Sequence, residues 1–350
     1  MLRIDFKALG PEKIGEVHGE TFKKEIRELF NIRYELLQKF LKGWNAAEIE
    51  APCVHAYKAL QAHPELLAEF HGIQRASGLS HVELMILNNY TDLRDFSGND
   101  DQAPTEDGCS ALTLHTPRLR WAGQTWDMHA SATPYTLLMN YADGTRVLTI
   151  TGCLGLAGLN SHGFSVLINN MHCREFTENH IPWPALVRLL LREKTAIDAA
   201  KVLQNNLPCS GHSYLLCDEK NSINIETTGI RSEITGQIRE SNGYLLHTNH
   251  YIGNLKKQEI MDRQSPTTHR RMQAMENYFK SQALSQFTEE AIKKEVFIDG
   301  AVAKEVCIEP DPIDPHKAMT CGGLFVNYNK KTFEAFGGLY KDHDIISGNF

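Results

Sequence analysis

One change of pattern divides this sequence near residue 108. Before it, after an alternating segment at residues 2–6, apolar residues recur at helical spacing up to about residue 95. After it, short apolar runs separated by turn signals follow one another, which is typical of β-strands. The sequence therefore predicts a layered α+β fold in which the helices lie outside the sheets.

Local signals predict where some of the helices begin and end. Ser80 and Glu83 have the spacing of a capping box, so a helix is expected to begin beside them. Proline lacks a backbone donor and disrupts a helix interior. Interruptions are therefore expected near Pro52 and Pro64, between the helical segments of the first part of the chain.

Composition and charge exclude several classes of protein. The chain has 350 residues, 42% of them hydrophobic and 23% charged, with a formal net charge of -7 and a pI of about 6.1. This balance argues against nucleic acid or an anionic membrane as the main partner. The sequence contains no apolar run of about 18 residues and begins with no signal-peptide pattern. We expect no membrane association and a cytoplasmic location.

The cysteines and histidines show no metal-binding spacing. The chain has eight dispersed cysteines: Cys53, Cys109, Cys153, Cys173, Cys209, Cys217, Cys307 and Cys321. No pair has CxxC spacing, and the 16 histidines form no HExxH motif. Dispersed cysteines without a secretory signal are usually free thiols. We therefore predict no metal site and assign a chemical role only to Cys109.

Cys109 follows Gly108 at the point where the pattern changes. A thiol attacks carbonyl groups as a thiolate, so it needs a base nearby. One solution is a Cys-His dyad, with His247 or His250 as the base. The other is an N-terminal cysteine whose own α-amine, with a pKa of about 7.7–8.0, takes the proton. The second solution requires cleavage of the Gly108–Cys109 bond, and glycine leaves that carbonyl open to attack.

Two polar groups end apolar strands later in the chain. Asp127 ends the run Gly-Gln-Thr-Trp-Asp, and Asn249 lies in His-Thr-Asn-His directly after the strand at 243–246. An asparagine amide can donate to an oxyanion, and losing such a donor typically costs about 3 kcal/mol. The structural alternatives are that Asp127 caps a turn and that Asn249 satisfies backbone groups. His247 and His250 would then be structural hydrogen-bonding residues.

Four motifs in order resemble the acyl-coenzyme A:6-aminopenicillanic acid acyltransferase family, the N-terminal-nucleophile (Ntn) hydrolases of peptidase family C45. They are Asp-Gly-Cys-Ser around Cys109, Gly-Gln-x-Trp-Asp ending eighteen positions later, the Gly- and Asn-rich segment 155–163, and His-Thr-Asn-His at 247–250. The resemblance spans most of 105–340 and is looser in the helical part. It implies a four-layer αββα Ntn-hydrolase sandwich.

The resemblance also implies a self-processing reaction. Cleavage between Gly108 and Cys109 would leave residues 1–108 as a mainly helical small subunit. This subunit stays bound to the catalytic part, 109–350, and the two together form one domain. Cys109 is then the nucleophile, with Asp127 beside it and Asn249 at the oxyanion. The acyl-Cys109 thioester passes to water or to an amine. The expected substrate is a small-molecule amide or acyl donor, with no cofactor except acyl-CoA as a co-substrate.

One feature departs from the family pattern. Related enzymes use an arginine late in the chain near the nucleophile, and this chain has none after Arg271. Lys317 is the candidate for that place, although a lysine is a point charge and would anchor substrate differently. Asn170, His250 and Lys317 are the candidate substrate-binding residues. Two rivals remain, a Cys-His hydrolase that never cleaves itself and a non-catalytic binding protein of the same fold.

Overall fold

The computed structural model describes residues 1–41, 43–95, 108–261 and 264–350. The residues directly before Gly108, including Glu106 and Asp107, lie outside the described part. The helices are α1 (Pro11–Thr21), α2 (Lys23–Phe40), α3 (Ala46–Leu60), α4 (Pro64–Ser77), α5 (His81–Asp95), α6 (Trp183–Leu190), α7 (Ala196–Asn205), α8 (Thr268–Lys280), α9 (Glu289–Ile292) and α10 (Ala303–Val306).

The strands are concentrated after Gly108, as predicted. They are β1 (Leu2–Asp5), β2 (Gly108–His115), β3 (Arg120–His129), β4 (Thr136–Asn140), β5 (Arg146–Ile150), β6 (Ala157–Leu159), β7 (Ser165–Asn170), β8 (His212–Cys217), β9 (Asn221–Thr227), β10 (Ser232–Arg239), β11 (Gly243–His247), β12 (Ala318–Asn327), β13 (Thr332–Gly337) and β14 (Ile345–Asn349). In the described ranges, one sheet has eight strands in the order β1-β4-β5-β6-β7-β8-β9-β10. The other has six, in the order β11-β2-β3-β12-β13-β14.

The two sheets face each other and helices cover their outer sides. Alternate residues of a strand point to opposite faces, and β2 shows this directly. Ala111 belongs to the apolar cluster between the sheets, whereas its neighbour Leu112 packs with Met275 of α8 on the outside. Residues of α1 to α7 cover the outer face of the eight-stranded sheet. The predicted four-layer αββα sandwich is therefore confirmed.

Local signals account for several helix ends. Ser80 N donates to Glu83 Oε2 at 2.6 Å and Glu83 N donates to Ser80 Oγ at 3.1 Å, so the predicted capping box opens α5. Pro64 begins α4, as expected. The interruption predicted near Pro52 is wrong, because that residue lies inside α3. Buried residues on both sides of Pro52 hold α3 against the core, and this packing outweighs the lost backbone hydrogen bond.

Strand β10 is not predicted by the sequence pattern, for a physical reason. It is the edge strand of its sheet, and most of its side chains are at least partly exposed. A bulge between Ile234 and Gly236 also shifts its pairing with β9. The extra residue places Ile234 and Ile238 out of simple alternation. Its buried and exposed side chains therefore do not alternate with a period of two residues.

Two observations concern the whole of the described chain. None of its described helices is both long enough and apolar enough to cross a membrane. All eight cysteines are free thiols.

Helices α1 and α4 cross at glycines. A Cβ atom on Gly15 would lie 2.0 Å from the backbone oxygen of Glu69, and one on Gly72 would lie 2.1 Å from that of Glu12. Real Cβ atoms do not approach backbone this closely, so the two helices can pack at this distance only without side chains there. This contact lies entirely within the helical N-terminal segment.

We expect Gly15→Ala to lower the free energy of unfolding by about 1–3 kcal/mol, because the added methyl group forces α1 away from α4. Gly10→Ala is the matched control, since a Cβ atom on Gly10 would meet nothing within 4 Å. Its effect should stay within about 0.5 kcal/mol. Denaturant unfolding measures both, and equal effects of the two substitutions would contradict the close contact.

Candidate active site

A cavity lies where the two sheets meet the N-terminal helices. Gly108, Cys109, Trp126 and Asp127 line it from strands β2 and β3. Helices α2 and α5 provide another wall. Cys109, Asp127, Asn170 and Asn249, all singled out in the sequence, are brought together in this cavity.

Hairpin geometry places Asp127 beside Cys109. In the antiparallel pair of β2 and β3, Gly108 is opposite Asp127 and Cys109 is opposite Trp126. The eighteen-residue spacing noted in the sequence is thus the length of one hairpin. Thr320 Oγ1 of the neighbouring strand β12 donates to Asp127 Oδ1 at 2.7 Å and fixes the carboxylate.

Asn249 reaches Cys109 because the chain continues in register after β11. His247 pairs with Ala111, so two residues further along the chain Asn249 lies level with Cys109. Cys109 N donates to Asn249 Oδ1 at 2.9 Å. Asn249 Nδ2 in turn donates to the backbone oxygen of Asn170 at 2.8 Å. The amide oxygen of Asn249 therefore faces the backbone nitrogen of Cys109, and its amide nitrogen bridges to the other sheet.

Arg271, the last arginine of the chain, enters the site from α8. Its side chain is fully buried. Nη1 donates to the Cys109 backbone oxygen at 2.7 Å and to Ser110 Oγ at 3.0 Å, and Nη2 donates to Asn249 Oδ1 at 2.8 Å. Asn169 Nδ2 donates to the same Cys109 oxygen at 2.9 Å. The backbone of the cysteine is thus held on both its nitrogen and its oxygen.

The glycine before the cysteine is required by its surroundings. A Cβ atom on Gly108 would lie 2.9 Å from Arg271 Nη2 and 3.1 Å from Asp127 Oδ2. Both side chains are buried and held by hydrogen bonds, so neither can move away at low cost. Any larger residue at this position would separate Arg271 from Asp127.

In the continuous chain the thiol of Cys109 is held in its protonated form. Burial, together with the charge of Asp127, raises the pKa of Cys109 to about 12. Backbone hydrogen bonds from Asp127 and Asn170 and the charge of Arg271 lower that pKa in part. At neutral pH the thiol therefore needs a base to become a nucleophile.

The two histidines considered as bases are engaged elsewhere. Both ring nitrogens of His247 face oxygen acceptors, the Glu226 carboxylate at 2.9 Å and the Thr248 backbone oxygen at 2.7 Å. His250 Nδ1 lies 2.9 Å from Thr268 Oγ1. Burial, together with the charge of the neighbouring His269, lowers the pKa of His250 to about 3. Neither residue is among those that line the cavity.

Lys317 is not brought to this site. Its Nζ forms an ion pair with Asp311 at 2.7 Å, and 51% of its side chain is exposed. The cation that contacts the Cys109 strand is Arg271 instead. A signal for this exists in the sequence, because Arg271, Met275 and Phe279 share one buried face of α8 at a spacing of four residues.

The cavity wall contains two histidines that the motifs do not identify, His172 and His212. His172 Nδ1 lies 2.7 Å from Asp95 Oδ1, and His212 Nε2 lies 3.5 Å from Asp92 Oδ1. Burial lowers the pKa of His212 to about 4. Across the described ranges, no group of three or more His, Cys, Asp or Glu residues is arranged to hold a metal ion.

One known protein family matches this chain. The family model described as acyl-coenzyme A:6-aminopenicillanic acid acyl-transferase matches residues 115–297, just over half of the chain. The chain belongs to this family. As a member of peptidase family C45 it is an enzyme of the Ntn type, an amidohydrolase or an N-acyltransferase.

The sequence identity to individual relatives and solved structures is low. A curated family relative from Emericella nidulans, the 40 kDa form of acyl-coenzyme A:6-aminopenicillanic-acid-acyltransferase, is 23% identical over 250 residues, 70% of this chain and 68% of the relative. Penicillin V acylase from Agrobacterium tumefaciens gives a TM-score of 0.43 at 13% identity, over 65% of this chain and 82% of that one.

A variant of conjugated bile acid hydrolase from Clostridium perfringens gives a TM-score of 0.40 at 15% identity. The match covers 69% of this chain and 92% of that one.

We expect Arg271→Met to lower the free energy of unfolding by about 3–5 kcal/mol, because it leaves the buried charge of Asp127 without its nearby cation. Arg270→Met is the control on the same helix. Arg270 is 65% exposed and pairs with Glu305, so its loss should cost at most about 1 kcal/mol. Chemical denaturation of the two variants measures the difference. A cost below 1 kcal/mol for Arg271→Met would show that the contacts of Arg271 with Cys109, Asn249 and Asp127 do not stabilise the site.

Proposed function

We propose that this enzyme cleaves its own chain between Gly108 and Cys109 and then uses Cys109 to cleave a carbon–nitrogen amide bond or to transfer an acyl group. The observation that carries the proposal is the contact of Cys109 N with Asn249 Oδ1. This contact fixes the nitrogen that becomes the α-amine, in a cavity that also contains the thiol and Asp127.

The self-cleavage is an N-to-S acyl shift. Cys109 Sγ attacks the carbonyl carbon of Gly108, the carbon–nitrogen bond breaks, and the released nitrogen takes the proton that the thiol loses. Water then hydrolyses the thioester to a Gly108 carboxylate and a free thiol. Arg271 lies against the position of Gly108 and offers positive charge to the oxygen that becomes negative in this step.

The two fragments are expected to remain associated. Strand β1 of the N-terminal fragment pairs in parallel with β4, with Leu2 opposite Leu137. The largest apolar cluster combines residues of both fragments, among them Leu29 and Phe70 with Trp126 and Val166. Separating the fragments would expose this shared core to water, which is strongly unfavourable. This supports treating residues 1–108 and 109–350 as one domain.

In turnover the new α-amine of Cys109 is the base. It takes the thiol proton as Sγ attacks the substrate carbonyl, and then passes the proton to the leaving amine. Asn249 Oδ1 orients the amine. Asn249 Nδ2, which bonds the Asn170 backbone, is the donor that the family resemblance assigns to the oxyanion. Asn170, which lines the cavity, contributes to substrate binding.

The acyl-enzyme then has two fates. Attack by water gives hydrolysis, and attack by an amine gives acyl transfer. Hydrolysis of a small N-acyl amine or amino-acid amide is the reaction we favour. The relative from Emericella nidulans is named for acyl transfer from coenzyme A, so acyl-CoA is the alternative acyl donor to test.

The alternative hypothesis, a Cys-His dyad with His247 or His250 as the base, is less well supported by the contacts. Neither histidine lines the cavity. His172 and His212 do line it, each near an aspartate, so a dyad would have to use one of them. A single uncleaved species with full activity would favour such a dyad. A non-catalytic protein of the same fold would instead never carry an acyl group on Cys109.

We expect Cys109→Ala to leave the chain at full length and to abolish turnover, because no sulfur is present to form either thioester. Cys109→Ser should cleave slowly through the analogous ester. Cys153→Ala is the control, since Cys153 is a second buried thiol on the same cavity wall. Intact mass and peptide mapping with an amide and acyl-CoA panel provide the readout. Processed Cys109→Ala chains, or acyl groups mapped to Cys153, would refute the proposal.

The pH dependence separates the two bases. An α-amine with a pKa of about 7.7–8.0 must be unprotonated to act, so kcat/KM should rise with pH through that range and fall about tenfold per pH unit below it. Burial holds the pKa of His250 near 3. If His250 were the base, activity would persist unchanged down to about pH 4. A profile that is flat from pH 5 to 8 would contradict the α-amine mechanism.

A further inference from the structure

A buried histidine and a buried glutamate connect the two sheets next to the active site. His247 ends β11 of the six-stranded sheet, and Glu226 lies in β9 of the eight-stranded sheet. His247 Nε2 lies 2.9 Å from Glu226 Oε1, and both side chains are fully buried. Neither belongs to the described residues that line the cavity. Charged residues are rarely buried without a functional or structural reason.

The hydrogen-bond geometry indicates the charge of both side chains. His247 Nδ1 lies 2.7 Å from the Thr248 backbone oxygen, and Nε2 faces the carboxylate of Glu226. Only the imidazolium form of histidine donates from both ring nitrogens. Both oxygens of Glu226 also accept hydrogen bonds from backbone nitrogens, which fits the ionised form. The two side chains therefore form an ion pair of an imidazolium and a carboxylate.

This ion pair holds the chain on both sides of Asn249. The oxygen that faces His247 Nδ1 belongs to the residue directly before Asn249. On the other side, Ile252 N donates to Glu226 Oε1 at 2.7 Å, and Gly253 N donates to Glu226 Oε2 at 3.1 Å. The segment between these contacts contains Asn249, so its path is set by the position of the ion pair.

The side chain of Asn249 has to be placed accurately for the proposed reaction. Its Oδ1 accepts a hydrogen bond from Cys109 N at 2.9 Å, and this nitrogen leaves Gly108 when the chain cleaves itself. Its Nδ2 donates to the Asn170 backbone oxygen at 2.8 Å. A displacement of about 1 Å in a group that takes part in a reaction can slow that reaction about a hundredfold.

We infer that Glu226 and His247 are positioning residues, whose ion pair places the Asn249 carboxamide against Cys109 in self-cleavage and in turnover. The inference rests on the proposed function, because the pair acts on the reaction through Asn249. Neither side chain touches the substrate, and no bond to either forms or breaks. Loss of the pair therefore slows the reaction, while the charge state of the pair can be observed without any reaction.

Self-cleavage provides the test reaction, because its substrate is the chain itself. Cell-free synthesis supplies the full-length chain, and intact mass follows its conversion to two fragments over time. We expect Glu226→Ala to lower the first-order rate constant roughly tenfold or more. Glu226→Gln should give an intermediate rate constant. Its amide oxygen can still accept from the Ile252 and Gly253 nitrogens, although the ion pair with His247 is lost.

The same two substitutions at Glu69 are the matched controls. Glu69 is also buried and forms an ion pair with Arg188 at 2.8 Å, and neither residue lines the cavity. Breaking this pair destabilises the fold without moving Asn249. The rate constants of Glu69→Ala and Glu69→Gln should therefore stay within about twofold of that of the unaltered chain. If circular dichroism shows that Glu226→Ala does not fold, the comparison of Glu226→Gln with Glu69→Gln decides.

Nuclear magnetic resonance of protein with isotope-labelled histidine gives a signature that a general loss of stability would not produce. The Cys109→Ala chain, which is expected to stay at full length, is the sample. Adding His247→Gln identifies the signals of His247 by their loss. We expect two proton-bearing ring nitrogens for His247, and one when Glu226→Gln is added instead.

Two results would overturn the inference. One is self-cleavage of the Glu226 variants at the rates of the corresponding Glu69 variants. The other is a single proton-bearing ring nitrogen on His247 while Glu226 is in place. Failure of the proposed function looks different. In that case the unaltered chain stays at full length, while the signals of His247 still report whether the ion pair exists.

Discussion

A single buried guanidinium holds the active site together. Arg271 donates hydrogen bonds to the strand that begins at Gly108 and to Asn249 after β11. It also lies near the charge of the Asp127 carboxylate. Removing such a charge from water costs several kcal/mol, and only close acceptors and an opposite charge offset that cost. The arrangement of Cys109, Asp127 and Asn249 is therefore conditional on this one side chain.

Much of the site was predictable because its geometry is local. The spacing of Cys109 and Asp127 is that of two strands joined by a short turn, so pairing brings them together whatever the rest of the fold does. The capping box at Ser80 is equally local. The two-sheet arrangement followed from the change from helical to strand periodicity, together with the family resemblance. The hairpin and the capping box depend on residues that are near in sequence, whereas the two sheets and the contact of Asn249 with Cys109 join distant parts of the chain.

The remainder depends on contacts that the sequence does not encode locally. Arg271 and Arg270 are adjacent and chemically identical, yet one is fully buried and the other mainly exposed. Only the face that Arg271 shares with Met275 on α8 distinguishes them. The late position of the arginine in related enzymes suggested Lys317 instead. Position in the sequence alone does not show which helix packs over β2. Pro52 shows the same limit, since core packing overrode a local helix-breaking signal.

The division of the chain at Gly108 separates two tasks. The part after Gly108 contributes Cys109, Asp127 and Asn249, whereas the helical wall before it includes Arg33, Tyr90 and Arg94. A cut at this position would free the base at Cys109 without altering that wall, because the wall is held by the apolar core that both parts share. Substitutions in the helical segment would therefore change one wall of the cavity while Cys109, Asp127 and Asn249 stay in place.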